Sequence, residues 1–188
     1  MIVGAKHLTW APYVSGGDGS AVTYGTGTAE VDKVVRVDMS EDRSDSAFNA
    51  DDHRIDRDNS INSASVSIEV AQLTLAMRES ILGHVKSSND YTVTDAASPF
   101  VGVGFCLKER YKGTVTYRTY WYYKVQFSEG QRSFNTKGDD LEFQTESLEG
   151  EVEAVQLTEG GAMAYYVYAE SATEAAAITW LKTKAGAT

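Results

Sequence analysis

The chain reads as a mainly β protein with one or two short helices, a β-sandwich or partial barrel flanked by a helix. Three observations carry that expectation. Ala64, Val66, Ile68 and Val70 alternate with Ser65, Ser67 and Glu69. Val101, Val103, Phe105 and Leu107 alternate with Gly102, Gly104, Cys106 and Lys108. Thr114 to Phe127 alternates without a break over 14 residues. Apolar residues recurring every second position mark strands with two distinct faces.

The elements follow in order. The first 30 residues, with Ser15-Gly-Gly-Asp-Gly-Ser20 and Gly25-Thr-Gly-Thr28, predict short strands joined by loose turns, or an arm that orders against a neighbour. Val31 to Val37 is expected as a strand. Asp38 to Asn62 has almost no apolar content. Between Asp38 and Asp58 it holds eight acids (Asp38, Glu41, Asp42, Asp45, Asp51, Asp52, Asp56, Asp58) and three arginines, a balance of −5 in a chain of −10. It is expected as a long acidic loop or arm, since loops of this length in compact domains do a job or stay disordered.

After the strand from Ala64, Thr74 is placed to cap a short helix. Leu73, Met77 and Ile81 recur every fourth residue, and Gly83 stands where a C-terminal glycine belongs. After the Lys112-Gly113 turn, the alternation puts Val115, Tyr117, Thr119, Trp121, Tyr123, Val125 and Phe127 on one face. Thr114, Thr116, Arg118, Tyr120, Tyr122, Lys124 and Gln126 form the other. An unbroken strand of that length would span roughly 46 Å, far beyond the usual five or six residues, so a bulge or a hairpin projecting towards another subunit is expected. Leu141 to Thr145 and Leu148 to Ala154 are two further strands whose apolar phase switches near Ser147, implying a bulge or corner. Met163 to Tyr168 is the last strand. Thr173 opens a C-terminal helix at 173–184, acid first and lysines last, as the macrodipole prefers.

Composition excludes several functions. The chain has 188 residues, 42% of them hydrophobic with 11 Tyr, 6 Phe and 3 Trp, enough for the core of a single domain. No apolar run approaches a membrane span, and the N-terminus lacks the apolar core of a secretory leader. Cys106 is the only cysteine, so there is no internal disulfide. A net charge of −10 and a pI near 4.7 repel nucleic acid, although acidity also serves plain solubility.

No catalytic or metal-binding set emerges. His7, His53 and His84 are far apart and no CxxC exists. Asp56-Arg-Asp58-Asn-Ser60 fails as a calcium loop, with Ile61 where glycine is required and Ser67 where the bidentate acid belongs. Gly25-Thr-Gly27 and Gly102-Val-Gly104 read as turn or strand glycines, not as parts of a dinucleotide fingerprint. Asp51-Asp52-His53 lacks an apolar wall to tune a carboxylate, and Cys106 reads as a small buried residue without a base. Tyr120-Trp-Tyr-Tyr123 could form a sugar platform, but aromatics on both faces of a strand more often serve a core and an interface.

Several phrases in order resemble the major tail protein family of siphophages. They are Ala50-Asp51-Asp52, Val66-Ser-Ile-Glu-Val-Ala-Gln-Leu73, Ile81-Leu-Gly-His84 and Phe100-Val-Gly-Val-Gly-Phe105. Tyr120-Trp-Tyr-Tyr-Lys-Val-Gln-Phe127, Thr136-Lys-Gly-Asp-Asp-Leu-Glu-Phe-Gln-Thr145 and Ala175-Ala-Ala-Ile-Thr-Trp-Leu181 continue the set. The chain departs at Met77, where an acid would complete a capping box.

The resemblance implies a fold similar to the type VI secretion tube protein. It implies rings of six subunits, a continuous intersubunit β-barrel around a lumen, and stacking into a tail tube. The implied partners are the chain itself and the tape measure, tail terminator and distal tail proteins. DNA enters only as passing cargo, with no cofactor, enzyme activity or membrane. The implied place is the virion tail, assembled in the host cytoplasm. On this reading Asp51, Asp52 and Arg54 of the acidic arm, with Tyr120 and Tyr122 of the long strand, are candidate subunit contacts. Glu142, Glu146, Glu149, Glu151 and Glu153, on the polar sides of two successive strands, are candidates for the lumen wall. A ring would carry roughly −60, which lets DNA pass without sticking. The competing reading is a monomeric β-sandwich binding module of carbohydrate-binding type. A small hydrolase would need a convergent catalytic set that the sequence does not offer.

Overall fold

Backbone pairing dominates this chain even where apolar residues are sparse. The computed structural model describes residues 1–31, 34–50, 53–130 and 145–186. The strands before the first helix are β1 (Ile2–Ser15), β2 (Thr23–Tyr24), β3 (Thr28–Val31), β4 (Val34–Arg43), β5 (Ser46–Ala50), β6 (His53–Asp58) and β7 (Ile61–Val70). Helix α1 (Leu75–Leu82) follows, then β8 (Val85–Ser87), β9 (Asp90–Thr92), β10 (Phe100–Tyr111), β11 (Thr114–Glu129) and β12 (Glu146–Val152). The chain closes with β13 (Val155–Gln156), β14 (Met163–Ala164), β15 (Tyr166–Ser171) and helix α2 (Glu174–Lys184). The fold is thus mainly β with two short helices.

Nine strands form one large antiparallel sheet in the order β2-β1-β10-β11-β12-β7-β4, with β3 on β1 and β15 on β11. The length of β11 has a plain cause: it serves two neighbours along one edge. Val125 to Glu129 pair with β12, and Tyr117 to Tyr122 pair with β15. The sheet is strongly curled, because β1 and β4 lie against each other although four strands separate them in this order. β3 pairs with β1 while β4 pairs with β7. The described ladders do not close into a barrel.

The inside of the curl holds the main core. Val66, Ile68 and Val70, then Val103 and Phe105, then Tyr122, Val125, Phe127 and Leu148 meet there. Helix α1 adds Met77 and Ile81, with Leu73 before it. The Thr74 hydroxyl accepts from the Met77 amide at 3.3 Å, and Gly83 closes the helix at φ 73°, a left-handed conformation that glycine adopts without strain. The outer side of β1, β10 and β11 makes a second cluster with α2, in which Ala11, Cys106 and Trp121 pack against Ala177, Leu181 and Ala185. Thr173 caps α2 through the Ala176 amide, as the sequence predicts.

Four expectations need correction. The N-terminal segment is not a set of short strands: Ile2 to Ser15 form one strand of 14 residues, held along its length by β10. Only the glycine-rich part after it turns loosely. The acidic stretch is not a loop. β4 runs through Asp38 to Arg43, and β5 and β6 pair as a two-stranded ribbon that continues the β4–β7 hairpin past the Ser44–Ser60 backbone hydrogen bond. An edge hairpin needs no buried face of its own when its ladder continues a packed one.

The alternation of β11 is broken, as the bulge expectation allowed. Val101 pairs with Val125 but Val103 with Tyr122, so three residues of β11 face two of β10. Tyr120 and Tyr122 therefore share the inner side with Val125 and Phe127, while Tyr117, Trp121 and Tyr123 turn towards α2. Finally, the last strand splits into β14 and β15 and runs on to Ser171. The strand expected at Leu141 to Thr145 lies, but for Thr145, outside the described residues.

Candidate functional site

The candidate contacts separate once placed. Asp51 and Asp52 lie outside the described residues. Arg54 belongs to β6, opposite Asn49 of β5. Among the described residues this ribbon pairs with no further strand, so both of its edges are open. The outer edges of β4 and β15 are open in the same sense. Tyr122 is only 2% exposed and stacks on Phe105, so it belongs to the chain's own core and offers nothing to a neighbour. Tyr120 is half-buried between Phe105 and the exposed Tyr168 of β15.

The acids separate in the same way. Glu142 lies outside the described residues. Glu146 is not on the polar face: it shares the side of β12 that carries Leu148 and Val152. One carboxylate oxygen takes the Arg78 guanidinium and the other accepts the Leu73 amide at 2.6 Å. Glu149 and Glu151 are exposed on the opposite side, and Glu153 pairs with Lys124 at 2.5 Å. Glu149 and Glu151 line a groove of about 650 Å³ with Ser65, Ser67, Gln126 and Ser128, walled by Ala96 to Ser98. The Gln126 amide donates to the Ser98 carbonyl at 2.7 Å and fixes that wall. Among the described residues Phe127 is the one aromatic at the groove, and its ring is buried in the core.

Two polar clusters were not legible in the sequence. The Tyr166 hydroxyl donates to Glu41 at 2.6 Å, joining β15 to β4 across the mouth of the curl. That bond, with Arg43 beside it, holds the Glu41 carboxyl below the usual carboxylate range. The same bond, with burial, pushes the Tyr166 hydroxyl up to about 12. The second cluster gathers at the start of α2. Glu174 lies 2.7 Å from the His7 Nε2, 3.4 Å from the Lys6 Nζ and 3.4 Å from the Tyr117 hydroxyl. His7 reaches it from a bulge in β1, at φ 57°. No sequence motif encodes either cluster, since each joins residues more than 100 positions apart.

Cys106 is 1% exposed, and burial with the Glu174 charge pushes its thiol up to about 11, away from the reactive thiolate. Among the described residues no group of three or more His, Cys, Asp or Glu is placed to hold a metal ion. Asp56 and Asp58 belong to strand β6, which is not the loop a calcium site requires. Among the described residues no helix is long and apolar enough to cross a membrane.

A scan against protein-family models and a search of curated proteins find no match to the chain.

Proposed function

We propose that this chain is the tail tube subunit of a siphophage, a structural protein whose six-membered rings stack into a hollow conduit for DNA. The observation that carries the reading is the β5–β6 ribbon. It extends the β4–β7 hairpin and pairs with nothing else among the described residues. Free ribbon edges invite pairing with another chain, and natural proteins cover or use them. The open edges of β4 and β15 support the finer proposal, in which strands of adjacent subunits continue the curled sheet into an intersubunit β-barrel. The wet face bearing Glu149 and Glu151 would suit a lumen that DNA must cross without adhering.

In this role the chain binds itself and, at the tube ends and interior, the tape measure, tail terminator and distal tail proteins. It holds no cofactor, catalyses nothing and reaches the virion tail after assembly in the host cytoplasm. The groove beneath Ala96 to Ser98 favours the second reading, a monomeric binding module, though its described residues offer no exposed ring as a stacking surface for a sugar. Sedimentation and negative-stain microscopy separate the two. Rings or hollow tubes are expected, and strictly monomeric behaviour at every concentration and salt, also with tail-initiation proteins present, would end the tube reading.

A further inference from the structure

The registers fix which features share an end of the sheet. β10 begins at Phe100 and rises to the Lys112-Gly113 turn, while β7 ends at Val70 beside Glu146, level with the last residues of β11. Leu73, bonded to Glu146, and Gly83, against Pro99, therefore place α1 and the start of the β8–β9 hairpin at the end opposite the β10–β11 tip. The two ends differ in charge, and each exposes apolar side chains.

At the tip, Lys112 and Gly113 have φ 46° and 88°, the two positive values of a type I′ turn, which fixes a tight hairpin. Tyr111 is 70% exposed, with the Lys112 Nζ 5.3 Å from its ring centre. Met1 lies beside it, its carbonyl accepting from the Arg110 amide at 2.9 Å, and Met1 and Val3 are exposed. Among the described residues Lys108 and Arg110 have no ion-pair partner, while Glu109 is occupied by Arg118. The tip is a basic, partly apolar knob on a chain of net charge −10.

The opposite end is its complement. Leu75, Val85 and Val93 are exposed there. Glu79, Asp90 and Asp95 are exposed too and have no ion-pair partner among the described residues. Against these three acids, among the described residues, stands Lys86, held 5.9 Å from the Tyr91 ring centre. Arg78 adds no positive charge to the surface, being taken up by Glu129 and Glu146.

We propose that the basic, tyrosine-bearing tip of the β10–β11 hairpin seats on the acidic α1–β8–β9 end of a second copy of this chain. The contact is head-to-tail: two different surfaces meet, so each copy keeps one of each free and growth continues along an axis. Apolar residues on both sides supply contact area, and the opposed charges set register and exclude tip-to-tip encounters. The inference rests on the tube reading and deepens it by naming the surfaces through which rings stack.

Charge exchange tests it. One variant carries Arg110→Glu and Lys112→Glu, a second carries Glu79→Lys and Asp90→Lys, and a third carries all four changes. Each is checked for folding by circular dichroism before sedimentation and microscopy. The first two should each raise the critical concentration for tube growth at least about tenfold, the equivalent of about 1.4 kcal/mol per contact. Mixing them, or using the third variant, should restore tubes. Wild-type growth by the first two, or failure of both the mixture and the third variant to recover, overturns the pairing while the wild-type tubes keep the tube reading intact. Wild-type protein that never forms rings or tubes removes the tube reading and this inference with it.

Discussion

Arg78 of α1 and Glu146 of β12, 68 residues apart in the chain, meet through a guanidinium–carboxylate hydrogen bond, and Glu129 of β11 takes the other arm of the guanidinium. Their side chains are 12%, 21% and 17% exposed respectively, so solvent screens them weakly. Replacing Arg78 with Met would take away the guanidinium that bridges these two carboxylates. Removing one partner of a buried pair costs about 3–5 kcal/mol, and the residual exposure here lowers that to roughly 2–4 kcal/mol. Urea denaturation of Arg78→Met should show it. A loss under about 0.5 kcal/mol would mean that the triad does not hold α1 in place.

Acid stability should report on Tyr166 and Glu41. Because the folded-state pKa of Glu41 is depressed by the Tyr166 hydroxyl and by Arg43, its contribution is in full above its ordinary value of 4.5. The contribution is lost as pH falls through the lower folded value. Tyr166→Phe should therefore cost about 1 kcal/mol at neutral pH and flatten the decline of stability below pH 4.5. Identical slopes for the two proteins in that window would show that the bond is not formed in solution.

The second cluster depends on an absent side chain. A methyl group at Gly104 would lie 2.5 Å from Trp121 Cε3, 2.7 Å from the Tyr120 carbonyl oxygen and 2.8 Å from Leu181 Cδ2, so any larger residue crowds both the β11 backbone and α2. Gly104→Ala should destabilise the chain by roughly 1–3 kcal/mol, as overpacking does. It should also raise the reactivity of Cys106 towards a thiol reagent as α2 lifts. Unchanged thiol protection would place the adjustment elsewhere.

Much of this architecture follows from local pattern. Both helix caps, Thr74 and Thr173, sit where a side-chain oxygen three residues before a free amide predicts them. The period-two stretch from Ala64 to Val70 buries the residues it should. The misreadings share one cause, which is that side-chain alternation does not record what each residue pairs with. Asp38 to Asp58 looks like a loop because its ladders come from neighbouring strands and not from apolar side chains. Tyr122 looks like a surface residue because two-residue alternation cannot reveal a bulge opposite Val101 and Val103. Glu146 looks like one of a row of surface acids because its partner Arg78 is on a helix far earlier in the chain.

The ribbon offers a direct test of the proposed assembly. Replacing residues 46–58 with a short Asn-Gly turn removes β5 and β6 but keeps the β4–β7 ladder, which has its own partners in β12. The shortened chain should fold with unchanged near-ultraviolet dichroism and fail to form rings or tubes. Tubes of normal length from the shortened chain would show that the ribbon is dispensable and that the open edges of β4 and β15 suffice.

The last prediction concerns the wet face of β7, β12 and β11. Glu149 and Glu151 stand there among serines with no counter-charge among the described residues of the groove lining, while Glu153 is already neutralised by Lys124 and Glu146 points the other way. A row of free carboxylates is unfavourable against another protein surface, because each would need a partner on burial. In the proposed tube this face therefore looks onto water, and the lumen gains most from its charge because DNA is repelled along its path. Glu149→Lys with Glu151→Lys should leave tube assembly within about twofold of wild type, since neither carboxylate holds the fold together. Phage carrying these tubes should eject DNA more slowly, and the defect should deepen at low ionic strength as screening weakens. Normal ejection from the reversed tubes at low salt would put these two glutamates on the outer wall and leave the lumen to another face.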